Sequence, residues 1–181
     1  MKSITMIIQK STRERYAKLP KKIKKKLAVC QLLALDFDGV FTDNTVYVNE
    51  KGEEMVRCNR SDTFGLKELL STGTQVMIIS TEENPVVRKR AEKLKLPCVY
   101  GLSDKALALR NETEKRGLSL QSVIYVGNDV NDIGCFEIAG LKIAVADAYP
   151  PVAKIADYVT QASGGNGAVR EVLTLLLLAK E

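Results

Sequence analysis

Residues 33–44 read LALDFDGVFTDN. An apolar run ends in two carboxylates, Asp36 and Asp38, one residue apart and followed at once by Gly39. Charge at the end of a buried segment is costly unless a cation answers it. The run itself reads as a strand buried on both faces, which is the mark of a parallel sheet covered by helices. Positions two apart in an extended chain face the same side, so Asp36 and Asp38 can address one ligand.

Working outward, AVCQLLALD (28–36) reads as the first strand and TVYVNEKGEEMVRCN (45–59) as a hairpin turning at NEKGE. SDTFGLKELLSTG suggests a helix capped by Ser61 or Asp62 and stopped at Gly73. TQVMIIS is a second buried strand, and NPVVRKRAEKLKL a helix with Pro85 in its first turn. PCVYG reads as a short strand, SDKALALRNETEKRG as a helix opened by Ser103, and QSVIYVGND as a third long strand. NDIGCFEIAG, KIAVAD, PPVAKIA, DYVT and a last helix from about Ala168 continue the alternation. The fold class is therefore α/β, a doubly wound parallel sheet with a small β-hairpin insertion after its first strand. A basic N-terminal extension (1–27) would precede one domain (28–181).

Composition narrows the chemistry. The 181 residues contain no histidine, which removes Ser-His-Asp triads, phosphohistidine chemistry and His-based zinc sites. Cys30, Cys58, Cys98 and Cys135 form no C-x-x-C and read as reduced thiols of a cytosolic protein. MKSITMIIQK has too short an apolar patch for a secretory signal, and LTLLLLA (173–179) is too short to cross a bilayer. A cytoplasmic location without membrane contact is expected. The net charge of +5 is concentrated early, since residues 1–29 carry ten Lys or Arg and one Glu. With only Tyr16 interleaved there, the pattern suits a solvated helix and not a nucleic-acid platform.

In a doubly wound sheet, ligands sit beyond the carboxyl ends of the strands. Those ends offer Asp36 and Asp38, then Ser80 and Thr81, then Asp104 and Lys105, then Asn128, Asp129 and Asp132. Clustered carboxylates with one lysine and one hydroxyl suit a divalent cation and a phosphoryl group. A calcium loop is excluded, because counting from Asp36 the sixth position is not glycine and the twelfth is Tyr47.

DFDGVFTD, Ser80, Lys105 and GNDVND together resemble the four motifs of the haloacid dehalogenase superfamily. AVADA (144–148), ADYVT (156–160) and GGNGAVRE (164–171) are similar to one subfamily, the phosphatases of 2-keto-3-deoxy sugar acid phosphates such as 3-deoxy-manno-octulosonate 8-phosphate. The resemblance implies Asp36 as nucleophile, Asp38 as general acid and base, and Ser80 and Lys105 as phosphate-binding groups. It implies Mg2+ held by Asp36, Asp38 through its main-chain oxygen, and Asn128, Asp129 or Asp132. Substrate contacts would come from Asp62, Gly65, Thr81, Glu82, Arg90 and Lys93.

Three departures stand out. Asn128 occupies the second position of a usual GDD. Thr63 fills the second position of a usual DGxG, here Asp62 to Gly65. After the Ser80 hydroxyl, Thr81-Glu82 stands where octulosonate phosphatases show Gly-Arg, and Glu82 resembles instead the branch acting on nine-carbon, sialic-acid-type 9-phosphates and the C-terminal modules of acylneuraminate cytidylyltransferases. The expectation is a sialic-acid-type phosphatase, with the octulosonate 8-phosphate enzyme and a weakly catalytic tetramerisation module as alternatives. A homotetramer is expected, its small hairpins closing neighbouring sites.

Overall fold

A computed structural model of the chain describes residues 10–181. The first nine residues, with most of the MKSITMIIQK patch, lie outside them. Six parallel strands form the sheet: β1 (Leu32–Leu35), β4 (Gln75–Ile79), β5 (Cys98–Val99), β6 (Val123–Gly127), β7 (Leu141–Ala144) and β8 (Tyr158–Val159). Their order across the sheet is β5-β4-β1-β6-β7-β8. The chain thus winds to one side of β1, then returns and winds to the other. That reversal places a crevice at the carboxyl end of β1.

The uninterrupted apolar strands follow from burial on both faces. Leu33, Leu35, Val76, Ile78, Ile124 and Val126 enter one core, while Leu32, Ala34, Met77, Ile79, Val123 and Tyr125 enter the other. One core is closed by α3 (Leu66–Ser71), α4 (Val86–Leu94) and α8 (Ala168–Ala179). The second is closed by α5 (Lys105–Lys115), α6 (Ile133–Ile138) and α7 (Pro150–Ile155). Leu173, Leu175 and Leu176 of α8 are fully buried, so the apolar LTLLLLA helix finds its cover within the chain.

Several boundaries differ from the sequence reading. The AVC of the expected first strand belongs elsewhere: α2 (Lys21–Ala28) runs to Ala28 and β1 starts at Leu32. Its KKIKKKLA pattern gives an amphipathic helix whose Ile23 and Leu27 meet the core, and that stripe outweighs the short apolar run after it. The SDTFG segment is a 3-10 turn at Arg60–Thr63 followed by left-handed Gly65, so α3 begins only at Leu66. Asp104, not Ser103, opens α5, its carboxylate accepting from Leu107 N at 3.0 Å.

The hairpin is present as β2 (Thr42–Val48) paired with β3 (Glu54–Cys58), an antiparallel ribbon standing apart from the main sheet. Helix α1 (Lys10–Lys18) and α2 rest on α8, with Tyr16, Leu19 and Ile23 packed against the core. The four cysteines are free, Cys30 and Cys135 being buried. Among the described residues no helix is long and apolar enough to cross a membrane.

Because α8 seals one core, truncating a side chain at its centre leaves a cavity that the close-packed interior cannot refill. Leu176→Ala is expected to lower the unfolding free energy by roughly 2–4 kcal/mol, measured by urea denaturation. A loss below about 1 kcal/mol would mean that α8 is not part of the cooperative core.

Candidate active site

The answer to the carboxylates of β1 is Lys105. Its Nζ lies 2.8 Å from Asp36 Oδ1 and 2.8 Å from Asp132 Oδ1, with all three side chains buried. Lys105 is the first residue of α5, and a long side chain there leans back toward the helix N-terminus, out to the strand ends. Asp132 is saturated: Tyr125 OH also donates to Oδ1 (2.8 Å), and the main-chain N–H groups of Asn128 (2.8 Å) and Asp129 (3.2 Å) donate to Oδ2. Direct metal ligation by Asp132, expected from the sequence, is therefore not what the geometry offers. Its oxygens are taken up in holding Lys105 and the 128–129 turn.

Above this layer lies a small crevice of about 90 Å3, lined by Asp36, Asp38, Ser80, Thr81, Asn128 and Asp129 together with Asn44 and Asn131. Ser80 is buried at the end of β4 and its Oγ accepts from Glu82 N at 3.1 Å. Asp38 is held by Thr42, whose hydroxyl donates to Oδ1 at 3.3 Å and accepts from Gly39 N at 3.1 Å. Gly39 sits at φ +76°, and a Cβ there would stand 2.0 Å from the Asn128 side chain. Only glycine lets the chain turn away so closely beneath that amide.

Burial pushes the Asp36 carboxyl up to about 7, with the Asp132 charge adding to the effect and Lys105 opposing it. Burial also raises Asp38, and the Glu82 charge adds to it. Although burial disfavours its charge, Lys105 is raised by the two aspartates. The crevice thus holds more negative charge than one lysine balances.

The residues fit a divalent cation. The Asn128 amide turns its outer end to Asp36 Oδ2 at 3.2 Å and to the main-chain oxygen of Asp38 at 2.9 Å. Its nitrogen can donate to both, and with its oxygen there instead, that oxygen stands from each of them at about the separation of adjacent ligands on an octahedral ion held at ~2.1 Å, which is roughly 3.0 Å. Among the described residues no three acidic or cysteine side chains gather into a metal cage. The candidate set instead mixes one carboxylate, one main-chain oxygen and one amide, the donor chemistry of magnesium and not of zinc.

Other expected site residues lie elsewhere. Asp62 is buried behind the hairpin, where Oδ1 accepts from Arg170 N at 3.4 Å at the start of α8, and burial raises it to about 6. Gly65 lines a second, larger cavity of about 430 Å3, beside Arg15, Phe64 and Arg170, which contains none of the carboxylates described above. Arg90 donates to Asn59 O at 3.1 Å and anchors the hairpin root to α4, while Lys93 is exposed on α4. Asp62 Oδ2 and Arg90 Nε have no hydrogen-bond partner among the described residues. Glu82 stays beside the crevice, its N–H on Ser80 and its charge felt by Asp38, while its carboxylate accepts from Asn84 N at 2.7 Å and shapes the loop between β4 and α4.

Sequence reasoning missed Thr42, Asn44 and Asn131. Thr42 and Asn44 close the same DFDGVFTDN stretch, and Asn44 at φ +61° adopts the left-handed backbone that asparagine tolerates. Asn131 reaches Thr81 Oγ1 at 3.3 Å and links the two crevice walls.

A family model described as haloacid dehalogenase-like hydrolase matches residues 99–173. The 3-deoxy-D-manno-octulosonate 8-phosphate phosphatase KdsC of Escherichia coli (strain K12) is 41% identical over 151 residues, 83% of this chain and 80% of that protein. The structure of 3-deoxy-D-manno-octulosonate 8-phosphate phosphatase from Yersinia pestis superposes with a TM-score of 0.86 at 34% identity, covering 90% of this chain and 88% of that one. The Moraxella catarrhalis 3-deoxy-D-manno-octulosonate 8-phosphate phosphatase, in complex with magnesium ion, phosphate ion and KDO molecule, gives 0.85 at 33% identity, covering 90% and 94%. With its nucleophile-like aspartate, its buried lysine and these relatives along most of its length, the chain belongs to the haloacid dehalogenase-like hydrolases, in the group of the 3-deoxy-D-manno-octulosonate 8-phosphate phosphatases.

Proposed function

We propose that the chain is a magnesium-dependent phosphatase that removes phosphate from a 2-keto-3-deoxy sugar acid phosphate, with 3-deoxy-D-manno-octulosonate 8-phosphate as substrate. The observation that carries the reading is the crevice holding Asp36 and Asp38, with Asp36 paired to the lysine it shares with Asp132, in a chain 41% identical to an enzyme of that specificity. The nine-carbon, sialic-acid-type substrate rested chiefly on Glu82, and that carboxylate here accepts from the Asn84 main chain. A module serving assembly alone would have no use for a buried lysine held between two aspartates.

Asp36 attacks phosphorus and takes the phosphoryl group as an aspartyl phosphate, while the sugar oxygen departs. Asp38, with Oδ1 held by Thr42, carries on Oδ2 the proton that the leaving oxygen receives. The same carboxylate then deprotonates the water that frees phosphate from Asp36. Ser80 and Lys105 bind the phosphoryl oxygens, and Asp132 keeps Lys105 aimed and charged. Asp36, the Asp38 main-chain oxygen and Asn128 would hold magnesium, with Asp129 at the rim. Bound there, the ion would supply positive charge against the phosphoryl oxygens and the clustered carboxylates.

Phosphate release from the eight-carbon and nine-carbon substrates, assayed side by side with magnesium and with EDTA, tests the reading. Magnesium-dependent preference for the eight-carbon ester is expected, and a nine-carbon preference would restore the weight of Glu82.

Asp36→Asn is expected to reduce turnover at least a hundredfold, since an amide cannot form the acyl phosphate. The same variant has a signature in stability. An aspartate near 3.9 when unfolded and near 7 when folded costs stability increasingly as pH rises between those values. In EDTA at pH 8 the variant should therefore melt about 5 °C or more above wild type, the gap closing toward pH 4. Equal melting at pH 8 would mean that Lys105 fully compensates Asp36.

Asn128→Asp adds a charge where three oxygens already converge. Magnesium affinity in calorimetric titration should rise about tenfold, while metal-free stability falls. An unchanged affinity would place Asn128 outside the ligand set.

We further propose a homotetramer. The hairpin leaves Val46, Tyr47, Val48 and Met55 more than half exposed, too much apolar surface for a free ribbon. Light scattering at micromolar concentration should report four copies, and an active monomer would end the idea.

A further inference from the structure

We propose that Arg15, on the N-terminal helix α1, and Glu171, on α8, are positioning residues that hold the 36–43 segment in its reactive geometry. The inference rests on the phosphatase reading above. Glu171 is a buried carboxylate with a crowded acceptor shell: Tyr158 OH donates at 2.6 Å, Gln161 N at 3.0 Å and Ala162 N at 3.1 Å. Its ion-pair partner is Arg15, 2.7 Å away and reaching across from α1. A buried carboxylate keeps its charge and its place only when a cation and hydrogen bonds offset its desolvation. Without Arg15, Glu171 is left with dipoles alone, and its hold on the 161–162 amides weakens.

That hold matters because of what the next residues touch. Gly165 N donates to Val40 O at 3.1 Å, and Gly164 N is fixed by Asp147 Oδ1 at 2.9 Å. Gly164 approaches so closely that a Cβ on it would stand 1.8 Å from Gly39 O. Asn166 makes a second link, accepting from Arg57, which also donates to Asp43 Oδ2 at 2.7 Å. The 161–166 loop is therefore the floor under Gly39–Asp43. Through Thr42 that floor sets where the Asp38 carboxylate points. Lys105, Ser80 and the β1 end are anchored separately by Asp132 and the sheet, so phosphate binding does not depend on Arg15.

This predicts a split. With p-nitrophenyl phosphate and saturating magnesium, Arg15→Ala should lower kcat about fivefold and leave KM within about twofold. Arg15→Lys should recover most of the loss, and Arg15→Ala should add nothing further in a Glu171→Gln background. Amide hydrogen exchange in the peptide covering residues 36–44 should quicken about fivefold in Arg15→Ala, a change that loosening of α1 alone would not produce. The proposal is overturned if Arg15→Ala leaves both kcat and the 36–44 exchange at wild-type values. It is equally overturned if Arg15→Lys is as impaired as Arg15→Ala. Absence of magnesium-dependent turnover in the wild type would sink the phosphatase reading instead, and the exchange comparison would still decide this one.

Discussion

The lysine shared by Asp36 and Asp132 is the contact on which the remaining structure depends. A cation with almost no exposure needs compensation, and two carboxylates at 2.8 Å more than supply it. The arrangement joins the ends of β1 and β6 to the start of α5, three elements far apart in sequence. It also leaves the second oxygen of Asp36 off the lysine, facing the Asn128 amide across the crevice. Asp132 completes the cage by drawing in the Tyr125 hydroxyl and two main-chain amides, so that no lone pair of the buried acid goes unanswered.

Charge balance explains why a divalent ion belongs here. Lys105 neutralises one of its two partners, and Asp38, Asp129 and Glu82 add further negative charge at the rim. Asn128 offers an oxygen without adding to that burden. The site is consequently less electronegative than one built from an aspartate at that position, and its metal-free form is easier to hold folded.

Much of this was legible in the sequence because the strands are buried on both faces, and continuous apolar runs such as LLAL and VIYVG announce that directly. The polar residues ending such runs, Asp36, Asp38, Ser80 and Asn128, do meet in one crevice. Legibility failed where distant parts of the chain meet. No local pattern marks Asp132 as saturated, since Tyr125 and Lys105, which take up its Oδ1, come from β6 and α5. Asp62 and Arg90, expected at the substrate from motif position, lie in this chain at the hairpin root and the start of α8, outside the crevice of Asp36. Boundaries failed at AVC and SDTFG for a related reason, as the amphipathic stripe of α2 and the left-handed Gly65 depend on neighbours that a short window does not contain.

The seating of Gly164 against Gly39 carries a consequence for how the protein becomes competent. The two glycines are separated by more than a hundred positions, and most of the sheet lies between them in the chain. A polypeptide emerging from the ribosome can form β1, the hairpin and β4 well before residue 164 exists. Until it arrives, the turn bearing Asp38 lacks its floor. Chemistry is thereby deferred until the glycine-rich segment has been made, and a nascent chain stalled before it would carry Asp36, Asp38, Ser80 and Lys105 yet leave the Asp38 turn without its support.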